Sequence, residues 1–135
     1  MAAVNYLVDT NIISELARKE PDAGLRAWAG TVSQCALSVI TVEELVFGLA
    51  WKPNDRVREW LDGFIASFAE ILPVTESIAR RGGILRGQLR ARGLVRTQSD
   101  LLIASTASEH GLTLVTRNTK DFDGCGVAVL NPFTG

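Results

Sequence analysis

Val4-Asn5-Tyr6-Leu7-Val8-Asp9-Thr10-Asn11, followed at once by Ile12-Ile13-Ser14-Glu15-Leu16-Ala17, is the stretch that decides the fold. Val4 to Val8 is an apolar run of strand length, and Asn11 to Arg18 continues as a helix. A strand that feeds a helix directly is the opening half of a parallel α/β unit. In open sheets of this kind ligands bind just beyond the carboxyl ends of the strands, and Asp9 stands at such an end. Two readings of Asp9 are open here. It is a functional carboxylate on a sheet edge, or a polar residue that ends a strand and caps the next helix.

Further along, strands and helices keep alternating. Ala23 to Ala29 reads as a helix entered through Pro21-Asp22, and Gln34 to Val39 as a strand. Thr41 to Trp51 reads as a helix, with Val42, Leu45, Val46 and Leu49 spaced i, i+3, i+4, i+7. Pro53-Asn54-Asp55 breaks it and opens another helix to about Phe68, and Ile71-Leu72 forms a short strand. The next helix runs from Glu76 to Arg92, with Ile78, Gly82, Leu85 and Leu89 on one face. Gly82, Gly83 and Gly87 each cost it about 1 kcal/mol relative to alanine, which close packing against another backbone would offset. Ser99 is placed to cap a helix from Asp100 to His110, and Gly111 to stop it. Thr113 to Thr116 and Val127 to Leu130 are the closing strands. The alternation predicts a three-layer α/β/α sandwich with a central parallel sheet, formed by residues 1–135 as a single domain.

The chain has 135 residues, of which 47% are hydrophobic, as suits a compact globular protein. No apolar run reaches the roughly 20 residues that span a bilayer, and the N-terminus has no secretory pattern. Cys35 and Cys125 are isolated and are expected to be reduced thiols in a cytoplasmic protein. One histidine and two scattered cysteines make a structural zinc site a poor expectation. Any metal must be held by oxygen ligands, which favours Mg²⁺ or Mn²⁺.

A net charge of −1 conceals an uneven distribution. No acid lies between Glu76 and Asp100, yet six of the 14 basic residues do: Arg80, Arg81, Arg86, Arg90, Arg92 and Arg96. Arginine is the side chain best matched to phosphate, although a solvated helix face gives the same pattern. Glu44, Asp100 and Asp121 each stand near a strand end or a helix start, so the fold can bring them to the edge that holds Asp9. Taken singly, each has a plainer account. Thr41-x-x-Glu44 fits a capping box, Asp100 complements a helix dipole, and Asp121 suits a turn. As a set they are not so explained. Asp100 opens a helix uncharged from Leu101 to Ser108, and carboxylates crowded beside a core repel one another unless a cation offsets them.

With these residues in view, the chain resembles the PIN-domain toxins of the VapC/FitB type, ribonucleases of bacterial toxin–antitoxin pairs. The stretches that carry the resemblance are LVDTNIISEL at 7–16, LSVITVEELVFGL at 37–49, SDLLIASTASEHGLTLVTRNTKDF at 99–122 and VAVLNPF at 127–133. It implies a PIN-like fold and Asp9, Glu44 and Asp100 as metal ligands. Glu44 is chosen over Glu43 because the family's glutamate precedes the leucine of the T-x-x-E-L stretch. The fourth acid is left between two positions. Relatives carry aspartate at the third position of the T-R-[ND] stretch, where this chain has Asn118; alternatively Asp121 supplies the charge, with Asn118 and Thr116 as polar supports. A second departure is Val95-Arg96-Thr97-Gln98, which lacks a proline that relatives place before the aspartate.

The resemblance implies a Mg²⁺- or Mn²⁺-dependent endoribonuclease in which Asp9, Glu44, Asp100 and Asp121 hold one or two ions. Thr10, Asn11 and Thr116 would orient the carboxylates or waters; the arginine strip, apart from the resemblance, makes Arg86 and Arg90 the expected RNA contacts. The implied products carry a 5′-phosphate and a 3′-hydroxyl. The implied partners are a cognate VapB/FitA-like antitoxin and a second copy of the chain. Trp28, Trp51 and Trp60 are candidate interface anchors, or else all three belong to the core. His110, at the far end of its helix, is not needed for the chemistry. One rival is a PIN-like RNA-binding or protein-binding module without activity. Another is a phosphatase of the haloacid dehalogenase type, which would want aspartate where this chain has Asn11.

Overall fold

The computed structural model describes residues 3–134. Five strands, β1 (Tyr6–Val8), β2 (Cys35–Ser38), β3 (Ala69–Leu72), β4 (Thr113–Val115) and β5 (Val129–Leu130), form one parallel sheet in the order β3-β2-β1-β4-β5. Six helices connect them: α1 (Thr10–Leu16), α2 (Ala23–Ala29), α3 (Val39–Trp51), α4 (Asp55–Phe68), α5 (Glu76–Ala91) and α6 (Gln98–His110). A 3-10 turn, Thr119–Phe122, follows β4.

The period-2 pleat assigns each strand residue to one of two cores. Leu7, Ala36 and Leu114 face Leu89, Leu101, Ile103, Ala104 and Ala107 of α5 and α6. Val8, Cys35, Leu37 and Val115 face Ile12, Ile13, Leu25 and Leu61 of α1, α2 and α4. The expected three-layer α/β/α sandwich with its parallel sheet is therefore present. Gly82 is buried against α6, and a Cβ there would meet Leu102 Cδ2 at 3.2 Å and Ser105 Oγ at 3.5 Å. Close packing explains that glycine but not Gly83 or Gly87, which face open space.

Two caps differ from expectation. Helix α3 begins at Val39, capped by Ser38, whose hydroxyl accepts from the Ile40 N–H at 3.0 Å. The chain passes from β2 into α3 with no loop, so the strand's last residue is the cap. Thr41 is then a fully buried first-turn residue, and Glu44 lies in the second turn, outside any capping box. Helix α6 starts at Gln98, capped by Thr97 and not by Ser99. Gly111 ends it in the left-handed conformation, φ +65°, as expected.

The surface of α3 also differs. Leu45 and Leu49 pack inward, but Val46, Phe47 and Trp51 are 56%, 60% and 70% exposed. Trp28 and Trp60 are half-buried against the α1–α2–α4 core. The three tryptophans therefore divide between core and surface.

Candidate active site

The strand order reverses at β1, with β2 added on one side and β4 on the other. In a parallel sheet this switch point opens a crevice at the carboxyl edge, and Asp9 occupies it. The register Val8↔Val115 sets Asp9 beside Thr116, and the Asp9 N–H donates to Val115 O at 2.9 Å. Only 6% exposed, Asp9 accepts from the Thr10 N–H at 2.8 Å, Asn11 Nδ2 at 3.1 Å and Thr116 Oγ1 at 2.8 Å. It is thus both the helix cap and a carboxylate fixed in direction, so the two readings of the sequence coexist.

Thr116, fully buried, is the hub of this support: it also accepts from Asn11 Nδ2 at 3.2 Å and the Asn118 N–H at 3.1 Å. Asn118 therefore joins through its main chain. Glu44 is half-buried, accepts from Thr10 Oγ1 at 2.6 Å, and has its neighbour Glu43 turned to solvent. Thr10 and Asn11 tie three chain segments to one edge.

Asp100 sits in the first turn of α6, its N–H donated to Thr97 Oγ1 at 3.1 Å. Burial raises the Asp100 pKa above the ordinary carboxylate value, and the charges of Asp9, Asp121 and Glu44 push it further up against the opposing bond from Thr97. Asp9, Glu44 and Asp121 are thus near enough to Asp100 for their charges to act on it. Asp121 is the exposed member, on the 3-10 turn, with its N–H donated to Asn118 O at 3.1 Å.

None of the four acids has a basic partner among the described residues, whose ion pairs are Arg18–Glu15, Arg58–Asp55, Arg80–Glu76 and Arg81–Glu109. Nor, among the described residues, do three Asp, Glu, His or Cys side chains close on one point as a finished metal site. Like charges without a counter-ion repel one another and so do not close up by themselves. The donor set is all oxygen, half-buried and unbalanced in charge. That fits a hard divalent cation such as Mg²⁺ or Mn²⁺.

On the arginine strip, Arg80 and Arg81 are paired with Glu76 and Glu109. Arg86 and Arg90 are exposed, one turn apart on α5, and unpaired among the described residues. Their half of α5 leads through the loop 92–97 to Asp100. His110 is exposed at the opposite end of α6. Sequence reasoning missed Thr97 as the group that seats Asp100; the signal was there in Thr97-x-x-Asp100, an S/T-x-x-[DE] pattern before an apolar run.

The PIN domain family model matches residues 6–125. The chain is 37% identical to the VapC ribonuclease Y4jK of Sinorhizobium fredii, over 94% of this chain and 96% of the relative. It is 36% identical to the toxin FitB of Neisseria gonorrhoeae, over 94% and 97%. Among solved structures it is similar to FitAcB from Neisseria gonorrhoeae, with TM-score 0.81 and 36% identity over 94% of this chain and 97% of that one. It is also similar to VapBC2 from Rickettsia felis bound to a DNA fragment from their promoter, with TM-score 0.83 and 29% identity over 95% and 98%. With a family model covering most of its length and full-length relatives at this identity, the chain belongs to the PIN-domain family, in the group of VapC- and FitB-type toxins.

Proposed function

We propose that this chain is the toxin of a type II toxin–antitoxin pair, a Mg²⁺- or Mn²⁺-dependent endoribonuclease inhibited by its cognate antitoxin. The observation that carries the reading is the group of four carboxylates, Asp9, Glu44, Asp100 and Asp121, without a basic partner at the sheet's switch point. One or two ions held there would lower the pKa of an attacking water and offset charge on the leaving oxygen. The chain's own work is orientation. Thr10, Asn11 and Thr116 fix the Asp9 carboxylate, and the Thr10 hydroxyl holds Glu44. Asp100, whose pKa burial and the neighbouring acids raise, would be held in its charged form by a bound cation. Arg86 and Arg90 meet the phosphates of the incoming strand. The products are a 5′-phosphate and a 3′-hydroxyl.

Relatives crystallised as FitAB and VapBC2 complexes support an antitoxin partner. An apolar trough of about 580 Å³, lined by Trp28, Trp60, Phe64 and Phe68, adjoins at Trp60 a cleft of about 340 Å³ that reaches Thr10 and Glu44. An antitoxin segment laid along it would arrive at the carboxylates, so binding and inhibition share one surface. The exposed Val46, Phe47 and Trp51 of α3 form a separate apolar face, to which we assign the homodimer; light scattering showing a monomer at tens of micromolar would contradict that assignment.

The ribonuclease reading is tested by cleavage of single-stranded RNA with and without EDTA. Cleavage that stops with EDTA and returns with Mg²⁺ or Mn²⁺ is expected. A PIN-like binding module without activity predicts RNA left intact under every metal condition.

A further inference from the structure

The segment 131–134 is fastened to the body of the fold by several hydrogen bonds. Thr134 gives its N–H and its hydroxyl to Asp22 Oδ1, at 2.9 and 3.0 Å, and accepts from the Gly24 N–H at 2.7 Å. Gly24 leaves room for this, since a Cβ there would lie 2.8 Å from Pro132 O and from Thr134 Oγ1. Asn131 accepts from the Phe133 N–H at 3.0 Å, which closes the turn that aims the Phe133 ring. The Phe133 side chain packs against the α1–α2–α4 core.

On the ring rests the guanidinium of Arg117, 4.6 Å from its centroid. Arg117 follows Thr116, the residue that holds Asp9, and its own N–H donates to Asn11 Oδ1 at 3.0 Å. An arginine stacked on a ring uses its flat face, so its edge keeps all its N–H donors. Among the described residues that edge has neither a hydrogen bond nor a carboxylate partner. The side chain is exposed and rests on the ring. A cation arranged in this way beside an acid cluster is suited to an anion that must approach despite that cluster. A planar fork fixed in advance also loses less freedom when it grips a phosphate.

We propose that Arg117, braced by Phe133 of the fastened C-terminal segment, binds a phosphate of the RNA strand next to the scissile one. Phe133 is then a positioning residue, acting through Arg117. The inference rests on the ribonuclease reading. The plainer alternative is that the fastening only secures the segment 131–134, in which case its loss lowers stability without touching the substrate.

The test compares the parent protein with R117A, R117Q and F133L in cleavage of a fluorogenic single-stranded RNA in Mg²⁺ at several salt concentrations, with melting temperatures measured alongside. R117A is expected to raise KM roughly tenfold and to leave kcat within about twofold. The dependence of log KM on log salt should fall by about 0.7, the share of one phosphate contact on a single strand. F133L keeps the apolar contact but removes the ring face, so it should shift KM and the salt slope the same way by less. R117Q keeps the stem over the ring and carries the test should R117A fail to fold. Parental KM and salt slope in the arginine variants, with a parent that cleaves, overturn the inference and leave the ribonuclease reading standing. A parent that cleaves no RNA overturns that reading and the inference with it.

Discussion

The two ends of the antiparallel α5–α6 pair treat charge in opposite ways. At the far end Glu109 accepts from Ser77 at 2.7 Å and pairs with Arg81 at 3.2 Å, while Arg80 pairs with Glu76 at 2.7 Å. At the near end, among the described residues, Asp100 and the neighbouring Asp9, Glu44 and Asp121 have no basic partner, and Arg86 and Arg90 have no acidic one. The same two helices thus neutralise themselves where only packing is at stake and leave both signs unspent beside the switch point. Unspent charge of both signs is what a metal and a polyanion together would consume.

The comparison breaks most visibly at the hub of the near end. Thr116→Val removes the hydroxyl that orients Asp9 and should lower metal affinity or cleavage by about 10- to 100-fold, as loss of an outer-shell partner commonly does. Unchanged cleavage by this variant, measured with saturating metal and again with limiting metal, would show that Asp9 does not depend on its support.

Acid sharpens the same contrast. The Asp100 pKa is raised in the folded protein, mainly by burial and then by its acidic neighbours. Folded protein therefore binds this proton more tightly than unfolded chain. Asp100's contribution to metal-free stability is most favourable below the unfolded pKa and is lost as pH rises through the folded one. A cation must displace that proton, so metal affinity should climb across the same window and level off above it. Isothermal titration at several pH values checks this; an affinity that ignores pH there would mean Asp100 is not a ligand.

A smaller effect is expected of the unspent arginines. Replacing Arg86 and Arg90 together by alanine should weaken RNA binding and reduce its salt slope by about 1.4, two single-strand phosphate contacts. Turnover of saturating substrate should hardly change. A parental slope would make the strip a solvated face. Smallest of all is the far end: Arg81→Gln should cost under about 1 kcal/mol in urea unfolding and leave cleavage alone.

Much of this arrangement was legible in the residues. The LVDTN junction gave both the parallel fold and the place of Asp9, because a strand entering a helix without a loop has one common geometry. Glu44 was a candidate from its place near a helix start, but only the resemblance chose it over Glu43, since neither glutamate lies on the apolar stripe. Val46 fits the apolar stripe yet is exposed, and Thr41 fits a cap yet is buried. The misplaced cap follows from Ser38, which belongs to β2 and caps α3 at once. A local pattern cannot reveal that a strand's last residue is also a cap. The hub at Thr116 depends on the β1–β4 register, and the Arg117–Phe133 stack on a tail returning across the fold. Such contacts between distant segments leave no local signature.

The central claim is that Asp100 and its neighbours are an unbalanced carboxylate cluster built for a divalent cation. Its most direct test is the Asp100→Asn protein, assayed in one preparation for RNA cleavage and for melting temperature with and without Mg²⁺. Cleavage should fall by orders of magnitude. The metal-free melting temperature should stay level or rise, because a repelled charge is gone. Mg²⁺ should stabilise the parent by mass action and the variant much less. If Asp100 only complements the helix dipole, the substitution costs about 0.3–1 kcal/mol and activity survives. A destabilised but fully active Asp100→Asn protein contradicts the account.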